Sequence, residues 1–173
     1  MEARSRCYQF RVLLLGDAGV GKTALLRRYV AGTCITRSFY RNVAGVLLVY
    51  DVTNRRSFEH IQDWHAEVLA TQGPRVIFLL VGHKSDLQSS RCVSLEEAEA
   101  LAASLGSAFI ETSARNDCNV ELAFDTLTDA ILQALQRGDI ALEEDWGGVR
   151  LIHKAQVPRC PSRNPQQGGP CQC

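Results

Sequence analysis

The segment that most constrains this chain is GDAGVGKT, Gly16–Thr23. It stands between a short apolar run, Tyr8–Leu15, and a run with helical spacing, Gly21–Val30. Glycines spaced as G-x-x-x-x-G let the backbone curl until successive N–H groups face inward and form a nest for an anion. A helix that starts there adds the partial positive charge of its N-terminus. Strand, loop and helix in this order describe a phosphate cradle. Gly16, Asp17, Ala18, Gly19, Val20 and Gly21 supply its backbone. Lys22 reaches outer phosphates, and the Thr23 hydroxyl is placed for Mg²⁺. The plainer reading is a glycine-rich turn that binds nothing, and the flanking strand and helix argue against it.

The rest of the pattern alternates. Leu25, Leu26 and Tyr29 are the expected buried side of the first helix. Ala44–Tyr50 and Arg75–Gly82 are near-continuous apolar runs, as central parallel strands require. Ser57–Thr71 reads as a helix with Phe58, Ile61, Trp64, Val68 and Leu69 inward. SLEE, Ser94–Glu97, is a capping box opening a helix to about Leu105. Ala108–Thr112 reads as a strand, and Asn119 to about Gln136 as a long helix. Strand and helix alternate throughout, so the expected class is α/β: a phosphate-loop NTPase fold with a mostly parallel sheet and helices on both faces. Residues 1–137 form the expected domain and 138–173 a tail. From Pro158 on, Pro, Gly, Gln, Ser and Asn dominate, which fits a linker.

A phosphate loop does not name the base. Two later segments bear on that, VGHKSD (Val81–Asp86) and ETSAR (Glu111–Arg115), each at the end of a strand. Ligands of parallel sheets sit at the carboxyl ends of strands, so all three segments converge there.

These residues carry a resemblance. GDAGVGKT, SFYRNVAGVLLVYDVTNRRSF, HKSD, ETSAR and the final CQC together resemble the Rab-type small GTPases of the Ras superfamily. The resemblance covers most of the chain to about Gln136. It implies GTP and GDP as ligands with Mg²⁺, GTP hydrolysis, and a role in vesicle-mediated transport. It assigns Asp86 to the guanine ring nitrogens and Lys84 to the ring face. Ser113, Ala114 and Arg115 form the loop that meets the guanine oxygen, chiefly through backbone N–H groups. His83 departs from the family, which usually has Asn there. Neutral histidine can also donate and accept, so weakened rather than abolished guanine binding is expected; a bland strand-end residue is the other reading.

The terminal Cys171 and Cys173 resemble the Rab double-prenylation signal, and two lipid chains anchor stably where one is marginal. The alternative is two free thiols on a mobile end. The resemblance implies Rab escort and prenylation machinery as partners and a membrane reached through the lipidated tail. The expected location is the cytoplasmic face of membranes, or the cytosol without the lipids. Effectors are not legible, and nothing points to nucleic acid. The last 28 residues hold four basic and no acidic side chains, a weak signal for an anionic surface. WGGVRLIH, Trp146–His153, is an apolar island that could dock on the domain or on the escort protein. Seven cysteines without metal spacing, no secretory signal and no bilayer-length apolar run suit a reduced, cytosolic setting.

One block is missing. Tyr29–Gly32 belongs to the end of the first helix, and Cys34–Asn42 already resembles the end of the second switch. Two antiparallel strands, the first switch and the D-x-x-G loop with its water-positioning glutamine should lie between them. They amount to roughly forty residues. Asp51 imitates a Walker-B aspartate, but the resemblance places VYDVT one strand later, away from the metal. Asp145–Gly148 matches D-x-x-G only as a string, after the last helix. Hydrolysis is therefore expected to be very slow, with GDP and GTP held alike. The first strand becomes an edge. The connector Ala31–Asn42, with room for a helical turn at Thr36–Tyr40, must wrap around that edge or else form a disfavoured left-handed crossover. Three further readings remain open: a non-switching, membrane-tethered binding module, an inactive truncated product, and, remotely, a phosphate-loop kinase.

Overall fold

A strand buried on both faces organises the domain. Gly45–Asp51 (β3) is buried at every position, because its neighbours on each side are strands and each face carries helices. The computed structural model describes residues 7–29, 43–140 and 148–152. The elements in chain order are β1 (Cys7–Phe10), β2 (Val12–Leu15), α1 (Lys22–Tyr29), β3, α2 (Arg55–Glu59) and α3 (Ile61–Gln72). Then follow β4 (Ile77–His83), a single 3₁₀ turn (Gln88–Ser90), α4 (Leu95–Ser104), β5 (Ala108–Thr112), α5 (Val120–Arg137) and β6 (Val149–Ile152).

Four strands form one parallel sheet in the order β2-β3-β4-β5. Alternation along β3 divides the core. Val46, Leu48 and Tyr50 pack with Phe58, Ile61, Val68, Ala98 and Leu101, beneath α2, α3 and α4. Leu47 and Val49 pack with Leu25, Phe124, Leu127 and Ile131, beneath α1 and α5. The strand period of two thus explains a run that is apolar at every step. This is the α/β phosphate-loop fold with helices on both faces. No strand among the described residues pairs with the outer side of β2, so the expected edge is present.

The structure corrects three expectations. Tyr8–Leu15 is two strands, not one. At Arg11 the ladder changes partner: its carbonyl accepts from Ala44 N–H at 2.9 Å, and its N–H donates to Gly148 O at 2.8 Å. Below that point β1 pairs antiparallel with β6, Tyr8 opposite Leu151 and Phe10 opposite Val149. The apolar island thus puts its Val149–Ile152 portion against the domain, and Val149 is buried.

Second, Ser57–Thr71 is broken. His60 closes α2 and opens α3, and the Asn54 side chain caps α2 by accepting from Ser57 N–H. Third, Tyr29 and Leu69, both expected inside, are exposed; Tyr29 lies at the end of α1 with its ring stacked on Phe124. Ile61, Trp64 and Val68 follow the i, i+3, i+7 spacing of the inner face, and Leu69 lies a further 100° round. The capping box is as expected: Ser94 Oγ accepts from Glu97 N–H, and the Glu97 carboxylate accepts from Ser94 N–H. The connector Ala31–Asn42, Asp145–Gly147 and the tail with Cys171 and Cys173 lie outside the described residues.

Candidate functional site

The phosphate loop leaves the carboxyl end of β2 and enters α1. Two glycines are sterically required. Gly16 has φ +140°, and a Cβ there would lie 2.0 Å from the Val49 carbonyl oxygen. Gly21 has φ +102°, and its Cβ would lie 2.5 Å from Cδ2 of His83. Both conformations disfavour a side chain in any case. Lys22 folds back over the loop and donates from Nζ to the carbonyls of Gly16 (2.8 Å) and Asp17 (2.7 Å). Burial lowers its pKa more than the Asp17 charge raises it. Its ammonium therefore already lies across the loop that a phosphate would enter. Thr23 is exposed in the first turn of α1, and Val20 is buried beneath the loop.

Asp17 faces the other way. Its carboxylate accepts from Trp64 Nε1–H at 3.1 Å and lies 2.7 Å from His60 Nδ1. Burial pushes its pKa up, but the hydrogen bonds from His60 and Trp64 outweigh that, and the net shift is downward. This clamp on the phosphate loop was not read from the sequence, where Trp64 counted only as core. The available signal was an indole N–H on a half-buried helix face, a group that seeks an acceptor.

The two segments expected to meet the base, Val81–Asp86 and Glu111–Arg115, converge on the same end of the sheet. His83 ends β4, in register with Asp51 on one side and Thr112 on the other. Its Nδ1 and Thr112 Oγ1 share a hydrogen bond of 2.8 Å. Lys84, at φ +64°, donates to Gly19 O at 2.9 Å and pairs with Asp51 Oδ2 at 2.7 Å. The phosphate loop and the His83–Asp86 segment are thus joined directly. Asp51 Oδ1 also accepts from the N–H and hydroxyl of Thr53. Burial opposes these bonds, yet the Asp51 pKa is lowered overall. Asp51 is the anchor of Lys84.

Asp86 Oδ1 accepts from Ser113 Oγ–H at 2.6 Å, and Arg115 Nη1 stands 3.8 Å from Oδ2. The Ser113 bond is the main cause of its lowered pKa. Ser113 and Cys118 exchange both backbone hydrogen bonds and close the loop that holds Ala114 and Arg115. Beneath it, Arg91 grips Glu111 with two hydrogen bonds, 2.6 and 2.8 Å.

A nucleotide fits this donor set. The glycine-rich loop and Lys22 suit phosphates, and the Asp86 carboxylate suits a ring with two adjacent N–H donors. Among the described residues no group of three or more His, Cys, Asp or Glu could hold a metal. Of the described residues, Thr23 would contribute its hydroxyl to a Mg²⁺ ion brought in by the nucleotide phosphates.

A parallel sheet with a phosphate loop, and with the His83–Asp86 and Ser113–Arg115 segments at its carboxyl end, is the fold of a Ras-like phosphate-loop nucleotide-binding protein. The Ras family model matches residues 33–133. The chain is 62% identical over 219 aligned positions to Ras-related protein Rab-42 of Homo sapiens, covering 100% of both chains. Against Ras-related protein Rab-42 of Mus musculus it is 55% identical, again over 100% of both. Against Ras-related protein Rab-39A of Homo sapiens it is 39% identical, over 83% of this chain and 87% of that one. The chain belongs to the Rab family of small GTPases. Its 173 residues spread over 219 positions leave 46 of them without a counterpart here. That total is close to the roughly forty residues of the block expected to be missing.

Proposed function

We propose that this chain holds guanine nucleotide, GDP and GTP alike, without acting as a switch. One observation carries the reading. Lys84 ties the phosphate loop to the base-reading segment, while only about fifteen residues separate the end of α1 from the start of β3. Two strands and two switch loops need roughly forty. Lys22 and the loop N–H groups hold the phosphates, Asp86 reads the base, and Ser113, Ala114 and Arg115 frame the guanine oxygen. Among the described residues none is placed to sense a third phosphate or orient a water, so hydrolysis is very slow. A ligand pair with equal contacts cannot shift a conformational equilibrium.

Vesicle-mediated transport is the family role. In that role Cys171 and Cys173 take the lipids, the Rab escort and prenylation machinery delivers them, and the chain sits on a cytoplasmic membrane face. The tether then begins beyond β6 rather than at residue 138, because Val149–Ile152 pairs with β1 and Ile140 and Val149 are buried in the core.

Binding of fluorescent GDP to the full chain with Mg²⁺ tests the reading. Lys22→Ala should abolish binding, and Asp86→Ala should weaken it at least tenfold. Unchanged binding in Lys22→Ala would contradict the assigned site.

A further inference from the structure

His83 stands where the family usually has an amide, and its ring touches two separate parts of the site. The Nδ1 edge meets Thr112 Oγ1 at 2.8 Å, at the root of the Ser113–Arg115 loop. The opposite edge lies against Gly21. A Cβ on Gly21 would stand 2.5 Å from Cδ2 and 2.9 Å from Nε2, so the ring fills the space beside the loop backbone. The residue is 2% exposed. Its place is fixed by strand register, because Asp51 and Thr112 flank it in the sheet.

We propose that His83 is a positioning residue, a brace that sets the phosphate loop against the base-reading loop through its neutral ring. The proposal deepens the nucleotide-binding reading and rests on it for its ligand. The chemistry follows from the ring. An imidazole extends further than an amide and presents a nitrogen on each edge. Only the neutral form suits the site. Burial disfavours the charge, and the Lys84 ammonium disfavours it too; Asp51 and Asp86 oppose this only in part, and the pKa is lowered. On β5 it meets a neutral hydroxyl, Thr112, while Glu111 is held by Arg91. On the phosphate loop it meets the backbone of Gly21, and the Lys22 ammonium is turned to Gly16 and Asp17. Protonation would leave a buried cation without a dedicated partner and force the ring out of its slot.

The test has two readouts on the full chain. The first is the affinity for fluorescent GDP with Mg²⁺ between pH 5 and 8, for the wild type, His83→Gln and His83→Ala. Below the ring's pKa the wild-type affinity should fall, approaching tenfold per pH unit for one linked proton. His83→Gln should bind within about threefold of wild type at pH 7.5 and lose that slope, because its amide keeps both hydrogen-bonding roles without titrating. His83→Ala should bind about tenfold more weakly. The second readout needs no nucleotide: in NMR spectra the Gly21 amide should titrate with the His83 ring in the wild type and not in His83→Gln. A wild-type pH slope retained in His83→Gln, or a Gly21 amide indifferent to the ring, overturns the brace. If no variant binds GDP, the nucleotide reading falls, and the Gly21 titration alone decides the brace.

Discussion

Replacing Arg91 by alanine should loosen the segments after β4 and β5 at once. Its guanidinium donates to both oxygens of Glu111, at 2.6 and 2.8 Å, and to Val93 O at 3.1 Å. The two side chains are 18% and 15% exposed. Arg91→Ala leaves the Glu111 carboxylate with neither partner. Breaking a fully buried pair costs about 3–5 kcal/mol. Partial access to water places this one lower, at about 2–3 kcal/mol. For a chain of this size that is a fall of roughly 4–12 °C in Tm. Removing both partners should cost much less than the sum, because an apolar pair leaves no orphaned charge. The assay is thermal unfolding of wild type, Arg91→Ala, Glu111→Leu and the Arg91→Met/Glu111→Leu double variant. A loss below about 0.5 kcal/mol in Arg91→Ala, or strict additivity in the double variant, would refute the argument.

Three further outcomes are expected. Gly45→Val should destabilise by about 1–3 kcal/mol in denaturant titration, because a Cβ there would lie 2.8 Å from Ile131 Cδ1 and 3.0 Å from Leu127 Cδ1. The Asp51 pKa is lowered in the fold, so its stabilisation is present above the ordinary carboxylate range and lost as pH falls through the folded value. The stability difference between wild type and Asp51→Asn should therefore shrink as pH falls below about 4, measured by urea unfolding at each pH. Deleting residues 148–173 leaves β1 without its antiparallel partner and should raise aggregation in light scattering, whereas removal of 158–173 alone should not.

The sequence carried the sheet because the sheet obeys local rules. Continuous apolar runs marked β3 and β4, and the Ser94–Glu97 box marked the start of α4. The phosphate loop was legible from two glycines whose positive φ no other residue adopts cheaply. Pairings between distant segments were less legible. Nothing local to Val149–Ile152 says that β1 is its partner, since a short apolar strand suits any free edge. The break at His60 was hidden because Phe58, Ile61 and Trp64 keep a helical spacing across it. The Asp17 clamp needed Trp64 and His60 placed above the loop, a matter of how α3 packs. His83 was visible as a departure from the family, but its contact with Gly21 belongs to the fold alone.

The central claim is a guanine site without a sensor for the third phosphate. The most direct measurement is the affinity of the full chain for fluorescent GDP and a nonhydrolysable GTP analogue, side by side with Mg²⁺. The account predicts two values within about threefold of each other, a difference of some 0.7 kcal/mol or less. A preference of tenfold or more in either direction would show that the third phosphate is sensed, and would contradict it.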